Sequence, residues 1–409
     1  MMMTVLGTAG GAVCNAAPAA GTARRLGRRR AGFAPLKVPQ SSPWRRRGLA
    51  VRASKGVEGV PPFAEEGPLW GQVPSDSVDL SGWEEAASFL AQDLGIGSDP
   101  GTDMAGAVRI HHYYLPVFYW TLHRVAMHEK TIALGLAPTW SGREQNAEVR
   151  KSDGRRPMYL GISAPQGCGK TTLVGALERL LEWRGYRCVG ASMDDFYLTG
   201  AEQDAVAAAN PGNALLQFRG NAGTHDVGLG LETFDKLRTL EAGEKCGVAR
   251  YDKSLREGKG DRAPESEWVV AEGPVDVVLF EGWSFGFRPL ELKEGETVSP
   301  DLAKVDDNLR FEGYSEWAAA MDSWLTIRVD NVDCVYKWRL QAEHQRIAEG
   351  GAGLSDDAVR DFVDRFMPAY QAYLPSLYNE GPWMCRDKYT AGMTVSVDET
   401  RSPVPLSPQ

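Results

Sequence analysis

The sequence lacks several features that mark common protein classes. It has no apolar run approaching the ~20 residues of a membrane-spanning helix, and its 6 cysteines include no Cys-x-x-Cys pair, which argues against a zinc module or a disulfide-stapled domain. A net charge of −9 is unlike that of a general nucleic-acid binder. We therefore expect neither a membrane nor a nucleic acid as partner. The 409 residues, 43% of them hydrophobic, indicate a globular protein of one or two domains.

Acidic residues are absent from residues 1–53, which hold 10 basic ones. This segment is rich in Ala, Gly and Arg, and acid-free, Arg-rich leaders are typical of organelle transit peptides. Val51–Ala53 followed by Ser54 resembles a chloroplast processing site. We therefore predict that residues 1–53 are a chloroplast transit peptide and that the mature protein works in the chloroplast stroma. The alternative is a disordered basic arm that binds an acidic partner.

Residues 54–150 are predicted to form a linker followed by a helical extension. Apolar residues recur at helical spacing from Trp83 to Leu94, after a possible capping box at Ser81–Glu84. An aromatic stretch from His111 to His128 predicts a buried helix that is interrupted near Pro116. Its histidines fit no standard metal-ligand spacing, so we expect them in the core or on the surface.

From residue 151 to about 400 we predict a second domain, because a polar stretch at 141–157 gives way to alternating strands and helices. Such alternation implies a parallel sheet covered on both faces by helices, which is a three-layer α/β sandwich. The predicted strands are Met158–Ser163, Arg187–Ser192, Val275–Phe280 and Trp324–Val329, and the predicted helices are Thr171–Trp183, Val332–Glu349 and Ser355–Tyr378.

A glycine-containing loop joins the first predicted strand to the first predicted helix of this domain. Its residues are Ala164, Pro165, Gln166, Gly167, Cys168, Gly169, Lys170, Thr171 and Thr172. The pattern and its context are those of the Walker A loop of P-loop NTPases, with Ala164 in place of the usual first glycine. Backbone N–H groups would face the phosphates, Lys170 would reach the β- and γ-phosphates, and the Thr171 hydroxyl would bind Mg²⁺. We therefore predict that ATP and Mg²⁺ bind here.

Acidic residues follow two other predicted strands. Asp194 and Asp195 come just after Arg187–Ser192, where side chains face the ligand crevice of a parallel sheet. Either could be the base that accepts a hydroxyl proton while the other binds Mg²⁺ or its water, and a pair of helix-capping acids is the alternative. Glu281 fits the metal-positioning end of a Walker B strand.

Cys168 lies beside the predicted helix N-terminus, which lowers a thiol pKa, so we predict that oxidation or alkylation of this thiol blocks ATP binding.

Four segments occur in an order that resembles the D-glycerate 3-kinase family, related to uridine kinases, phosphoribulokinases and pantothenate kinases. They are Ser163–Thr172, Met193–Thr199, Arg250–Ser254 and Phe280–Trp283. The resemblance covers about residues 155–385. It implies ATP-dependent phosphorylation of D-glycerate to 3-phospho-D-glycerate, the closing step of photorespiration, and it favours Asp194 over Asp195 as the base.

The resemblance also implies the residues that bind substrate. A small carboxylate calls for cationic donors. Arg250 and Lys253 lie in the segment that resembles the family's substrate loop, and Arg219 and His225 lie in a second such loop. Arg339, on the long predicted helix, resembles a lid arginine that meets the transferring phosphoryl group. The alternatives are surface cations, a helix-entry histidine at His225, and for Arg339 an exposed ladder with Glu343 and Arg346.

Two other functions stay open from the sequence. The acceptor could be a nucleoside or a pentose phosphate, or the protein could be an assembly factor that hydrolyses ATP without an acceptor. Acceptor-independent ATPase activity would distinguish the second. The sequence leaves the oligomeric state open, and a monomer is compatible with it.

Overall fold

The computed structural model describes residues 57–134, 156–294, 296–351, 353–385 and 392–406. The predicted transit peptide, residues 1–53, and nearly all of the polar stretch at 141–157 lie outside these ranges. The strands are β1 Met158–Ser163, β2 Cys188–Ser192, β3 Lys245–Val248, β4 Tyr251–Asp252, β5 Asp261–Arg262, β6 Val269–Glu272, β7 Val277–Gly282, β8 Ser323–Val329, β9 Gly392–Val397 and β10 Pro403–Val404. The α-helices are α1 Pro62–Glu65, α2 Trp83–Leu94, α3 Met104–Ala107, α4 Leu115–Ala133, α5 Lys170–Trp183, α6 Gly200–Ala209, α7 Val227–Thr239, α8 Pro300–Phe311, α9 Tyr314–Ala319, α10 Cys334–Ala348, α11 Asp356–Asp364 and α12 Met367–Glu380. None of the helices in these ranges is long and apolar enough to cross a membrane.

The largest sheet has six strands in the order β10-β9-β8-β1-β7-β2. All neighbouring pairs are parallel except β9 with β10. Every residue of β1 and β7 is buried, as expected of central strands covered on both faces. The predicted parallel α/β fold is therefore confirmed. Because β1, β7 and β2 lie side by side, the segments at their carboxyl ends meet at one edge of the sheet.

Most predicted elements of this domain are present, with differences at their ends. The bounds of β1 agree with the prediction, whereas β7 continues past Phe280 to Gly282, so that Glu281 lies within the strand. The single helix predicted over Ser355–Tyr378 is wrong, because the chain forms α11 and α12 instead. Pro368 lies in the first turn of α12, a position where the missing N–H breaks no helical hydrogen bond.

The N-terminal extension contains the predicted helix α2, Trp83–Leu94, which ends at Gly95 with a left-handed φ of 66°. The predicted capping box is wrong, because Gly82 is the N-cap and no side chain caps the helix. The backbone N–H of Ser81 donates instead to the Asp79 carboxylate over 2.9 Å. Both α2 and α4 pack against α5, which begins at the glycine-containing loop.

The predicted interruption near Pro116 is confirmed in a particular form. Residues Val108–Tyr114 form a π-helix, and Pro116 lies in the first turn of α4, which follows it. The histidines of this stretch have structural partners: the Trp83 indole N–H donates to His111 Nδ1 over 2.9 Å, and His112 Nε2 lies 2.6 Å from the Phe63 carbonyl oxygen. Among the described residues no group of three or more His, Cys, Asp or Glu side chains could hold a metal ion.

Candidate active site

The loop between β1 and α5 needs glycine at two positions. Gly167 and Gly169 have φ angles of 81° and 93°, a conformation that other residues rarely adopt. Gly169 is the N-cap of α5. A β-carbon at Gly167 would lie 2.6 Å from the Trp338 β-carbon, so α10 packs directly against the loop. The loop therefore has the curled backbone and the helix N-terminus that bind phosphate groups.

Two distant segments hold this loop in place. The N–H of Gln166 donates to the Tyr370 hydroxyl on α12 over 2.9 Å. Arg401, in the turn between β9 and β10, donates from Nε to the Gly167 carbonyl oxygen over 2.6 Å. Its guanidinium lies over the Trp338 ring, 5.2 Å from the centroid. The sequence analysis missed Arg401, because nothing in its local sequence indicates a contact with residues so far away in the chain.

Lys170 and Glu281 form a buried ion pair between the loop and β7, with 2.5 Å between Nζ and Oε2. The pair forms because β1 and β7 are neighbours and Ile162 lies opposite Glu281. Burial opposes the charge on Lys170, but Glu281 and Asp194 outweigh it and raise the pKa of this lysine. Lys170 is therefore a fixed positive charge at neutral pH.

Oxygen donors suited to Mg²⁺ surround this pair. The carboxylates of Glu281 and Asp194 both act on Lys170, and Thr171 is exposed in the first turn of α5. Mg²⁺ prefers a few carboxylate or hydroxyl oxygens and completes its shell with water and phosphate oxygens. The residues present therefore fit the ion, although the roles of Thr171, Glu281 and Asp195 as metal ligands stay predictions.

Cys168 differs from the prediction of a reactive thiol, which is wrong. The residue is fully buried in the loop, and burial raises the pKa of its thiol to about 11, against a smaller lowering effect of Lys170. At neutral pH the thiol is therefore protonated and shielded from oxidants and alkylating agents.

Asp194 lies in a short 3₁₀ helix, Met193–Phe196, directly after β2. Its Oδ2 atom is 2.5 Å from the Lys253 ammonium, and its Oδ1 atom accepts a hydrogen bond of 2.9 Å from the Tyr197 hydroxyl. Burial alone would raise the pKa of this carboxyl, but Lys253 and Lys170 together hold it well below its usual range. Asp194 is therefore ionised and lies between two cations.

Asp195 has different partners. Its carboxylate closes a capping box with Ser192, lies 2.5 Å from Arg250 and accepts a 3.4 Å hydrogen bond from the Tyr251 N–H. Burial raises the pKa of this carboxyl against the opposing effect of Arg250. The capping alternative thus describes Asp195, and these contacts distinguish it from Asp194.

The predicted substrate cations converge on one side of Asp194. Arg250 and Lys253 flank β4, and Arg219 donates to the Gly258 carbonyl oxygen over 3.0 Å in the loop between β4 and β5. Arg219 also lies over the Tyr251 ring, 5.4 Å from its centroid. The structure therefore brings both predicted substrate segments together, although Arg250 and Lys253 are paired with Asp195 and Asp194.

His225 lies behind Asp194 and is buried. Its ring stacks on Tyr197, with centroids 4.6 Å apart, and Nδ1 lies 2.8 Å from the Tyr314 hydroxyl. Burial lowers the pKa of this histidine to about 3, so it is neutral at physiological pH. Nε2 is buried and has no hydrogen-bond partner within the described part of the chain. Tyr197, which joins His225 to Asp194, was not singled out from the sequence.

Arg339 lies on α10 with its guanidinium over the Phe362 ring, 4.9 Å from the centroid. Burial lowers the pKa of Arg339, and the charges of Glu343 and Asp194 oppose that shift. Glu343 forms its ion pair with Arg346. The exposed-ladder alternative therefore applies to Glu343 and Arg346, whereas Arg339 lies within the electrostatic reach of Asp194.

Comparison with known proteins gives relatives of one kind. The chain is 43% identical over 297 residues to "D-glycerate 3-kinase, chloroplastic" of Arabidopsis thaliana, a match that covers 72% of this chain and 61% of the relative. It is 39% identical over 235 residues to the uncharacterized kinase mug58 of Schizosaccharomyces pombe, covering 55% of this chain and 84% of that protein. The solved D-glycerate 3-kinase of Cryptococcus neoformans var. grubii superposes with a TM-score of 0.57 at 28% identity, covering 71% of this chain and 97% of the other. No protein-family model matches.

The central parallel sheet, the glycine-containing loop and these similarities define a P-loop kinase. The chain belongs to the D-glycerate 3-kinase family, as the four segments of its sequence predicted. It spans about three fifths of the length of the Arabidopsis relative.

Proposed function

We propose that this kinase transfers the γ-phosphoryl group of ATP to the 3-hydroxyl of D-glycerate and releases 3-phospho-D-glycerate. One observation carries the proposal. An ionised Asp194 lies between the phosphate-loop Lys170 and the cation Lys253 of the predicted substrate loop. A base beside the phosphate site and a cation for a carboxylate are the two features that a hydroxy-acid kinase requires.

ATP would bind with its phosphates on the loop Ala164–Thr172. Backbone N–H groups and the α5 N-terminus would contact the β-phosphate, and Lys170 would reach the γ-phosphate. Thr171 and Glu281 would hold Mg²⁺, with Asp195 near its water shell. When bound, the ion supplies positive charge that bridges the β- and γ-phosphate oxygens.

The acceptor side would use the residues around Asp194. Asp194 would accept the proton of the substrate hydroxyl, and Arg339 would neutralise charge on the γ-phosphate oxygens. Lys253, Arg219 and Arg250 would provide the positive field for the carboxylate. The unpartnered Nε2 of His225 supports a polar contact with substrate, because a buried ring nitrogen without a partner is costly.

A panel of acceptors tests the proposal. ADP release by residues 54–409 with Mg²⁺–ATP would be measured with D-glycerate, L-glycerate, uridine, ribulose 5-phosphate and no acceptor. We expect release with D-glycerate alone, and phosphorus NMR of the product would identify the phosphorylated position. Faster release with uridine or ribulose 5-phosphate would replace the substrate, and equal release in every sample would establish an acceptor-independent ATPase.

We also propose that the kinase acts in the chloroplast stroma, in photorespiration. The acid-free, Arg-rich composition of residues 1–53 supports this location. Residues 1–60 fused to a fluorescent protein should enter isolated chloroplasts and be shortened near Ala53, as read by mass spectrometry. A matched fusion with the arginines at 24, 25, 28, 29 and 30 changed to glutamate should remain outside. Import of both fusions, or of neither, would contradict the assignment.

A further inference from the structure

The contact between Lys253 and Asp194 conflicts with a simple role for Asp194 as a base. A carboxylate oxygen held 2.5 Å from an ammonium group is a weak proton acceptor, because the positive charge stabilises the ionised form. The Tyr197 hydroxyl already occupies Oδ1, so Oδ2 is the oxygen that must accept the substrate proton. Lys253 therefore covers the atom on which catalysis depends.

Lys253 can leave this position more readily than its partner. Its side chain is 57% exposed, whereas that of Asp194 is 26% exposed. Asp194 is fixed by its 3₁₀ helix and by Tyr197, but Lys253 begins the loop between β4 and β5 and has a long, flexible side chain. An incoming anion would therefore displace the lysine and not the aspartate.

The loop that carries Lys253 stores backbone strain. Arg256 and Glu257 are consecutive non-glycine residues with φ angles of 53° and 59°. Such conformations persist where surrounding contacts enforce them, and they cluster at binding sites and switches. The enforcing contacts here are the hydrogen bond of Arg219 to Gly258 and the ion pair of Arg256 with Asp204. The loop is thus held over the site by side chains and not by packing in the core.

We propose that Lys253 is a substrate-operated switch, in which the carboxylate of a small hydroxy acid draws the ammonium group away from Asp194 and so uncovers the base. This inference rests on the proposed function and adds a source of specificity to it. An acceptor without a carboxylate leaves Lys253 on Asp194, and its hydroxyl is not activated. The preferred substrates are therefore hydroxy acids, and neutral polyols are rejected.

The geometry of the substrate suits the exchange. In glycerate, one carbon atom separates the carboxyl carbon from the carbon that bears the 3-hydroxyl. A carboxylate on Lys253 therefore keeps that hydroxyl within reach of Asp194, whose Oδ2 atom is adjacent to the ammonium. The hydroxyl proton then passes to Oδ2 as the hydroxyl oxygen bonds to the γ-phosphorus. The bond from that phosphorus to the bridging oxygen breaks, and its electron pair leaves with ADP.

The test compares D-glycerate with glycerol, which has the same primary hydroxyl and no carboxylate. In the full chain, Lys253→Met should raise the KM for D-glycerate about 10- to 100-fold, as expected for loss of a charged hydrogen bond. The same change should raise kcat/KM with glycerol, because Asp194 is uncovered. Lys259→Met, an exposed lysine of the same loop, is the matched control and should leave both values unchanged.

A fall in kcat/KM by the same factor for both acceptors would overturn the switch, since it would mean that Lys253 only supports the site. A second measurement uses the unmodified protein. Formate together with ethylene glycol reproduces the two parts of glycerate, so formate should stimulate phosphorylation of ethylene glycol in the wild type and not in Lys253→Met. Absence of stimulation in the wild type would also overturn the proposal. Lack of activity with D-glycerate in the wild type would instead refute the proposed function itself.

Discussion

Lys170 lies in a buried ion pair with Glu281, and this pairing determines what a substitution at Lys170 does. Lys170→Met removes the cation that would meet the phosphates, so we expect kcat to fall at least ~100-fold. It also leaves Glu281 buried without its partner, which costs about 3–5 kcal/mol of unfolding free energy. Urea unfolding and steady-state kinetics measure the two effects separately.

The double variant Lys170→Met/Glu281→Gln provides the control. Without the charge on Glu281 the stability should return toward that of the wild type, while kcat stays low. Normal kcat in Lys170→Met would contradict the phosphate-loop assignment, and an unchanged stability would show that the pair contributes nothing to the fold.

His225 gives a prediction of pH dependence, because burial lowers its pKa to about 3 from the ordinary 6.5. Below pH 6.5 the unfolded chain binds a proton that the folded chain excludes. His225 therefore contributes no pH dependence above pH 6.5, and stability falls as the pH drops from 6.5 toward 3, by up to about 1.4 kcal/mol per pH unit.

The measurement is urea unfolding of the wild type and His225→Gln at pH 7 and pH 5. The wild type should lose about 2 kcal/mol more than the variant between these values. Parallel losses in the two proteins would mean that His225 titrates normally and is not buried as described.

At the scale of elements, the turn between β9 and β10 connects to the phosphate loop through Arg401. Arg401→Ala removes the hydrogen bond to Gly167, so we expect the KM for ATP to rise about tenfold while the KM for D-glycerate stays the same. Arg401 has a φ of 67°, and Ala or Lys would carry similar backbone strain there. Arg401→Lys should therefore recover part of the ATP affinity if the side chain acts, whereas equal effects of both substitutions would identify strain as the cause.

The sequence was most informative where an element depends on its own residues. The bounds of β1, the glycines of the loop and α2 follow local patterns of polarity and backbone conformation. β9 and the two-residue strands β4 and β5 were not predicted, because they are defined by pairing with distant strands, as Thr394 pairs with Thr326. The state of Cys168 was missed for the same reason, since its burial depends on the packing around the loop and not on the loop sequence.

At the scale of the whole molecule, the N-terminal extension packs against the helix that begins at the phosphate loop. Trp83 on α2 is fully buried and stacks on Tyr119 of α4 with centroids 4.9 Å apart. Trp83→Ala should therefore lower the unfolding free energy by about 3–5 kcal/mol. Because Trp83 contacts no candidate site residue, kcat of the folded variant should equal that of the wild type.

Thermal unfolding and kcat at a temperature well below the transition test this prediction, and Glu85→Ala on the exposed side of α2 is the control. A fall in kcat without loss of stability would show instead that the extension takes part in catalysis.

The central claim is that Asp194 is the base of a glycerate kinase, and its replacement by asparagine tests the claim most directly. Asp194→Asn keeps the size of the side chain and its contact with Tyr197 but cannot accept the hydroxyl proton. With D-glycerate and Mg²⁺–ATP, we expect kcat to fall by about 10²–10⁴, while the dissociation constant of ATP, measured by calorimetry, stays within a factor of about three. A kcat within tenfold of the wild type, in a protein that binds ATP normally, would contradict the account and require a different base.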